Sequence, residues 1–238
     1  MNNIAVIGSS GTIGRAFIQK VSELYPSVSI FGFSRNIPTY DIKNAKFYNI
    51  EYNSEESIAN AAEVATQNAP LDLVIVATGI LHNDEIMPEK SMRELSAAKF
   101  QHILYVNTIF PALVAKCFIP KLVKDKRAVF AVLSARVGSI SDNQLGGWYS
   151  YRASKAALNM IIKNLSIEMK MRYKQAIVVG LHPGTVDSSL SKPFQNNIPA
   201  GKLFLADYAV EKMLEVVGNL TLENSGKCYA WNGEEVLP

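Results

Sequence analysis

The sequence predicts an α/β fold: a single domain over residues 1–238, built as a doubly wound, mostly parallel sheet with helices on both faces. Three observations predict it. Short apolar runs alternate with stretches of helical period from end to end, the pattern of βαβ units. The first apolar run enters a glycine-rich turn that opens a helix, as at a nucleotide-binding βα junction. The chain has 238 residues, 48% of them hydrophobic, without a linker or repeat, enough for one sizeable core.

The elements follow in order. "NIAVIG" (Asn3–Gly8) reads as a strand buried on both faces, and "IGRAFIQKVSELY" as the helix after it. "VSIFGF" (Val28–Phe33) is a second strand and "KFYNI" (Lys46–Ile50) a weaker third. Ser54 is placed to cap the next helix, with Glu55 and Glu56 set against its dipole. "LDLVIVATG" (Leu71–Gly79) is another buried strand. A long helix runs from about Ser96 to Phe118, and Pro111 is expected to bend it. "AVFAVLS" (Ala128–Ser134) is the next strand. After a polar loop comes a helix whose apolar stripe is Leu158, Ile161, Ile162, Leu165 and Met169. "AIVVGL" (Ala176–Leu181) and "CYAW" (Cys228–Trp231) complete the strands.

Composition narrows the function. A net charge of +3, with the short cluster Lys121, Lys124, Lys126 and Arg127, fits a solvated helix end and no nucleic-acid partner. Cys117 and Cys228 are isolated, as in a reduced, cytoplasmic protein. The three histidines form no metal-ligand spacing, so no metal is expected. "MNNIAVIG" lacks the basic region of a signal peptide, and no apolar stretch is expected to reach membrane-spanning length, so no membrane partner is expected.

The chemistry concentrates in two places. In "GSSGTIG" the glycines Gly8, Gly11 and Gly14 let backbone N–H groups approach a phosphate at a helix N-terminus. At the end of the second strand, where an acid would hold a ribose 2′-OH, the chain offers "FSRN". Ser34 and Arg35 there favour the 2′-phosphate of NADP(H) over NAD(H). Glu51 and Tyr52 stand where they either line the adenine pocket or are plain loop residues. The second place is "GGWYSYRASKAALN", in which Tyr151 and Lys155 share one helix face. Tyr208 and Lys212 repeat the spacing on an amphipathic helix without the surrounding motif. His82 and His182 read as packing or loop residues, and Trp148 as a pocket wall or a loop anchor.

These stretches, with "ATGILHND", "LSARVGSISDN", "LHPGTVDSSLSKPF" and "AWNGEE", resemble the short-chain dehydrogenase/reductase family over nearly the whole chain. The likeness is nearest to its C-factor-like subgroup, with the sniffer-type carbonyl reductases. It implies a Rossmann-like fold and a homodimer or homotetramer. It also implies an NADP(H)-dependent carbonyl reductase or alcohol dehydrogenase acting on a small carbonyl or alcohol. Tyr151 matches the acid–base and Lys155 the residue that binds the nicotinamide ribose. Asn107 matches the asparagine that helps hold a proton-relay water. Gly8, Ser10, Gly11, Thr12, Ile13 and Gly14 match the phosphate turn, although Thr12 replaces the usual middle glycine. Gly79 matches the glycine near the adenine ribose, and Pro183, Gly184 and Val186 the segment over the carboxamide. The family's Ser-Ser reads Ser134-Ala135 here. Ser134 acts after a one-residue shift, or Ser139 reaches in, or no serine acts. The missing serine and the likeness to C-factor leave a second reading open, a nucleotide-binding signalling protein.

For the tyrosine, an ammonium about 4 Å away at an effective dielectric of about 20 contributes roughly 4 kcal/mol. That corresponds to about 3 pK units and is expected to bring the phenol near pH 7. The loop Ser188–Gly201 is expected to cover the pocket as a lid.

Overall fold

The computed structural model describes residues 1–238, the side chain of Asn197 excepted. Ten strands form: β1 (Asn3–Ile7), β2 (Ser29–Ser34), β3 (Ala45–Asn49), β4 (Leu73–Val76), β5 (Ala128–Leu133), β6 (Ala176–His182), β7 (Thr185–Val186), β8 (Leu203–Phe204), β9 (Cys228–Ala230) and β10 (Glu235–Val236). The helices are α1 (Thr12–Leu24), α2 (Glu55–Thr66), α3 (Ala97–Leu104), α4 (Phe110–Phe118), α5 (Tyr149–Arg172) and α6 (Ala206–Asn219).

Eight strands make one sheet in the order β10-β9-β6-β5-β4-β1-β2-β3. All its pairings are parallel except the edge pair β9–β10. Strand order reverses between β1 and β4, which is where an open parallel sheet leaves a crevice at its C-terminal edge. The central strands are buried at every position, and apolar at all but Asn3, because both faces are covered. Ala5, Ile7, Val74 and Phe130 pack under α2, α4 and α5. Ile4, Val6, Ile75 and Val129 pack under α1 and α6. Ser54 caps α2, accepting from the Ser57 N–H at 3.1 Å.

Three expectations change. The last strand ends at Ala230, and a short antiparallel β10 follows it. The bend near Pro111 is a π turn over Tyr105–Ile109 that joins α3 to α4, with the Phe110 N–H reaching back to the Tyr105 oxygen. Proline at 111 has no N–H for the carbonyl of Asn107, so the helix widens just upstream rather than breaking. The helical stretch Ala97–Lys121 also has the length and hydropathy of a membrane span, with a mean of 1.6 over 18 residues. Half of that window is buried, and the stretch packs as a core helix against α2 and α5.

Candidate functional site

The turn after β1 dictates the upper half of the site. Gly8 has φ +94°, and a Cβ there would stand 2.9 Å from the backbone of Ala77. A Cβ on Gly14 would drive into the Gly8 carbonyl oxygen. The chain therefore turns tightly beneath α1, whose N-cap is Gly11 and whose first turn holds no acid. The free N–H groups and the positive end of the helix face the crevice. Ser34 does not line it. Its hydroxyl is fully buried, accepts from Ser9 and donates to the Asn36 oxygen, so it braces the turn from below. Arg35 stacks on Tyr52 at 5.0 Å, and the Tyr52 ring lies 4.1 Å from that of Phe110. Glu51 stands outside this crevice, in a separate surface depression with Asn49 and Ser57. Tyr52 turns inward to the Phe110 ring, which leaves its neighbour facing out.

Two cavities, of about 540 and 370 Å³, share Gly11, Ala77, Thr78, Gly79, Ser189 and Leu190. Together they form a trough from Arg35 and Ser10 to Pro183, Gly184 and Val186. Thr78 lines both, and its buried hydroxyl has no partner among the described residues. That orphaned hydroxyl, the glycine turn and Arg35 suit a phosphate-bearing dinucleotide. Sequence reasoning gives Thr78 no part; its position just before Gly79, past the end of β4, is the signal that points to it.

Tyr151 and Lys155 stand one turn apart on α5, 8% and 3% exposed, in the wall of the larger cavity. The Lys155 Nζ donates to the Leu133 oxygen at 2.9 Å and lies 5.9 Å from the Tyr151 ring centre. Burial pushes the phenol up to about 12 and the ammonium down to about 8. The expectation of a phenol near pH 7 is therefore corrected: desolvation outweighs the lysine, which is turned toward a carbonyl.

The Asn107 amide clamps three elements. Its Oδ1 accepts from the Ile80 N–H at 2.8 Å, and its Nδ2 donates to the Ile80 oxygen at 2.8 Å and to Ser154 at 3.0 Å. A Cβ on Gly79 would stand 3.6 Å from the Asn107 Oδ1 and 3.7 Å from the Lys155 Nζ, so the two side chains converge beside that glycine.

Ser134 lines the cavity, but its hydroxyl donates to the Asn159 Oδ1 at 2.7 Å. Ser139 is tied into a turn with Ser141 and Asp142 and is not among the cavity's lining residues. Ala135 lines the cavity instead. Trp148 is both wall and anchor: it lines the cavity, and its N–H donates to the Glu89 oxygen. Ser188, Ser189, Leu190, Ser191 and Phe194 form part of the wall, and His82 holds this stretch through the Ser189 and Leu190 oxygens and an edge-on contact with Phe194. His182 also lines the cavity; burial, and then Arg136, lower its imidazole to about 4. Tyr208 and Lys212 lie on α6, away from the trough, with Lys212 paired to Glu215 at 2.9 Å.

The sequence model described as short chain dehydrogenase matches residues 2–199 of this chain. The chain belongs to the short chain dehydrogenase family. As a member it is an NAD(P)-dependent oxidoreductase. It is 31% identical over 180 residues to 1-hydroxy-2-glutathionyl-2-methyl-3-butene dehydrogenase of Rhodococcus sp. (strain AD45), covering 75% of this chain and 74% of that protein. It is also 31% identical over 146 residues to C-signal of Myxococcus xanthus, covering 61% of this chain and 82% of that protein. Among solved structures, NADPH-bound carbonyl reductase from chicken fatty liver shares the fold with a TM-score of 0.84 at 23% identity, covering 100% of this chain and 94% of that one. Carbonyl reductase Sniffer of D. melanogaster does so with a TM-score of 0.84 at 20% identity, covering all of both chains.

Proposed function

We propose that the protein is an NADP(H)-dependent carbonyl reductase of the cytoplasm that reduces a small aldehyde or ketone, or runs the reverse alcohol oxidation. One observation carries the reading: Tyr151 and Lys155 are buried side by side in the wall of a trough that continues to Arg35. The glycine turn from Gly8 to Gly14, with Ser10, Thr12 and Ile13, takes the pyrophosphate. Arg35 takes the 2′-phosphate. Gly79 gives room at the adenine ribose, and Pro183, Gly184 and Val186 close over the carboxamide.

The bound cofactor supplies a hydride to the carbonyl carbon. Tyr151 donates the proton that the developing alkoxide requires, and a buried phenol raised to about 12 keeps that proton at neutral pH. Lys155, lowered to about 8, still carries its charge there and holds the nicotinamide ribose. To steady the phenolate left behind, its ammonium must turn from the Leu133 oxygen toward the ring, whose centre lies 5.9 Å away. Asn107 sets the register between the end of β4 and α5 and supports a proton relay. Ser134 is assigned to the substrate oxygen, for which its hydroxyl must turn from Asn159.

Exposed Ile109, Met160, Ile167 and Met171, on the π turn and α5, support a homodimer or homotetramer. Sedimentation showing only a ~26 kDa species would exclude it. A signalling protein with little turnover is the second reading, favoured by Ala135 in the serine position and by the likeness to C-signal.

Fluorescence titration with NADPH and NADH, followed by a panel of aldehydes and ketones, separates the two. The reductase reading expects tighter NADPH binding and oxidation of NADPH by a carbonyl in the panel. It also expects Tyr151→Phe to lose about 10²–10⁴-fold in turnover. Tight NADPH binding without turnover on any carbonyl favours signalling, and a fully active Tyr151→Phe refutes the acid assignment.

A further inference from the structure

We propose that Glu89 is the positioning residue of the helix that carries Tyr151, a role that rests on the Tyr151 reading. The start of α5 has no cap of its own. Its N-cap is Trp148, whose side chain accepts nothing, and whose backbone is left-handed at φ 50° and ψ 42°. Trp148 is the one non-glycine residue with a positive φ among the described residues. Gly146 and Gly147 before it have φ +63° each, so three left-handed residues in a row lead into the helix. A bulky residue held there is strained and persists only where its surroundings fix it. The N–H groups of the first turn also need acceptors.

Glu89 lies in the connection between β4 and α3, and it meets both needs. Its peptide oxygen accepts the Trp148 N–H at 2.5 Å. Its carboxylate Oε2 accepts the Ser150 N–H at 3.2 Å. The side chain is fully buried, and its Oε1 has no partner among the described residues. A carboxylate is favourable at the positive end of a helix, so α5 receives from a distant loop the cap that its own sequence lacks. Gly147 suits the approach through its φ of +63°, which an L side chain rarely adopts. Arg152 braces the turn from the other side through the Gly146 and Gly147 oxygens.

What Glu89 fixes is the seat of the first turn. The Trp148 ring stands edge-on to Tyr151 at 6.2 Å and 5.0 Å from Phe194. Freeing Trp148 loosens the phenol and one wall of the cavity together. The trough from Arg35 to Gly79 lies on other elements, and Lys155, a turn deeper in α5, is held by its own bond to the Leu133 oxygen, so cofactor binding is spared. Misplacing a reacting group by about 1 Å costs on the order of a hundredfold in rate.

The test compares Glu89→Ala, Glu89→Gln and Tyr151→Phe in the full chain. A Trp231→Phe background leaves Trp148 as the sole tryptophan, because the sequence has only these two. Glu89→Ala is expected to lower kcat tenfold or more on a carbonyl from the panel, leave the NADPH Kd within twofold, and make Trp148 emission redder and more open to acrylamide quenching. Glu89→Gln retains an oxygen for the Ser150 N–H, so it is expected to fold even if the alanine variant does not. It should recover part of kcat and keep the NADPH Kd. Parent values of kcat and Trp148 emission in either variant overturn the proposal. So does a loss of turnover that follows NADPH affinity. Full turnover in Tyr151→Phe overturns the acid assignment and this role with it, whereas full turnover in Glu89→Ala alone overturns only the role of Glu89.

Discussion

Replacing Lys155 by Met should stabilise the protein at neutral pH while abolishing its chemistry. The ammonium is buried and its pKa falls from 10.5 to about 8. At 1.36 kcal/mol per unit, the charged form costs the folded state roughly 3 kcal/mol below pH 8. Methionine removes that cost and also removes the bond to the Leu133 oxygen, a charge-assisted interaction worth about 1.5–3 kcal/mol. The variant should therefore be more stable near pH 7, by on the order of 1 kcal/mol. The sign reverses with pH. Between about 8 and 10.5 the unfolded chain binds the Lys155 proton and the folded chain releases it, so wild-type stability rises with pH. By about pH 9.5 some 2 kcal/mol of the penalty is gone, and the wild type draws level with or passes the variant. Burial raises the Cys228 thiol and Lys155 lowers it, so loss of the lysine only raises that group further. Tyr151 and Cys228, both raised to about 12, stay protonated in both folded proteins up to pH 9.5 and cancel in the difference. Urea midpoints of both proteins at pH 7 and 9.5 measure it. A stability difference that does not change between these pH values would refute the reasoning, as would a variant several kcal/mol weaker at pH 7.

Arg35→Ala should weaken NADPH by about 1.5–3 kcal/mol and leave NADH nearly unchanged; equal losses in a fluorescence titration would remove Arg35 from the phosphate site. Gly14→Ala forces a methyl group into the Gly8 carbonyl oxygen, so both stability and NADPH affinity should fall, the first by about 1–3 kcal/mol; a thermal midpoint equal to the parent's would contradict this. Asp72 accepts from the N–H groups of Asn2 and Asn3 and from Lys126. Burial raises its pKa, but these partners outweigh burial and hold it below 3.8. Its contribution is present above that value and is lost as pH falls through the lowered pKa. Asp72→Asn should cost about 1.5–3 kcal/mol at pH 7 and nearly nothing in strong acid, as urea unfolding at both pH values would show.

The fold was legible because each central strand is an apolar run and each helix after it carries a periodic stripe. Those signals are local. The turn at Gly8–Gly14 was legible for the same reason, since strand, glycines and helix are contiguous. What escaped depends on residues far apart in sequence. Ser34 follows a strand as a cofactor ligand would, yet Ser9 and Asn36 decide where its hydroxyl goes. The π turn arises where Pro111 meets a packed helix, and the sequence alone suggests only a bend. β10 is two residues long, too short for any periodicity. The phenol of Tyr151 was misjudged because a pair of charges can be counted from spacing, whereas the burial that outweighs it needs the whole fold. Glu89 is one acid among several in a polar loop, with nothing local to set it apart.

The Asn107 clamp bears on how such a protein changes over generations. One amide side chain ties the end of β4, the π turn and α5 into a single rigid block, and that block holds Lys155 and Tyr151. Other parts of the cavity wall come from segments outside that block, among them Leu145 in an exposed loop. Mutations there can reshape what the cavity accepts without moving the reacting groups. On the proposed reading, the architecture thus separates inheritance into two compartments, one that holds the reacting groups and one that can vary with the molecules it accepts.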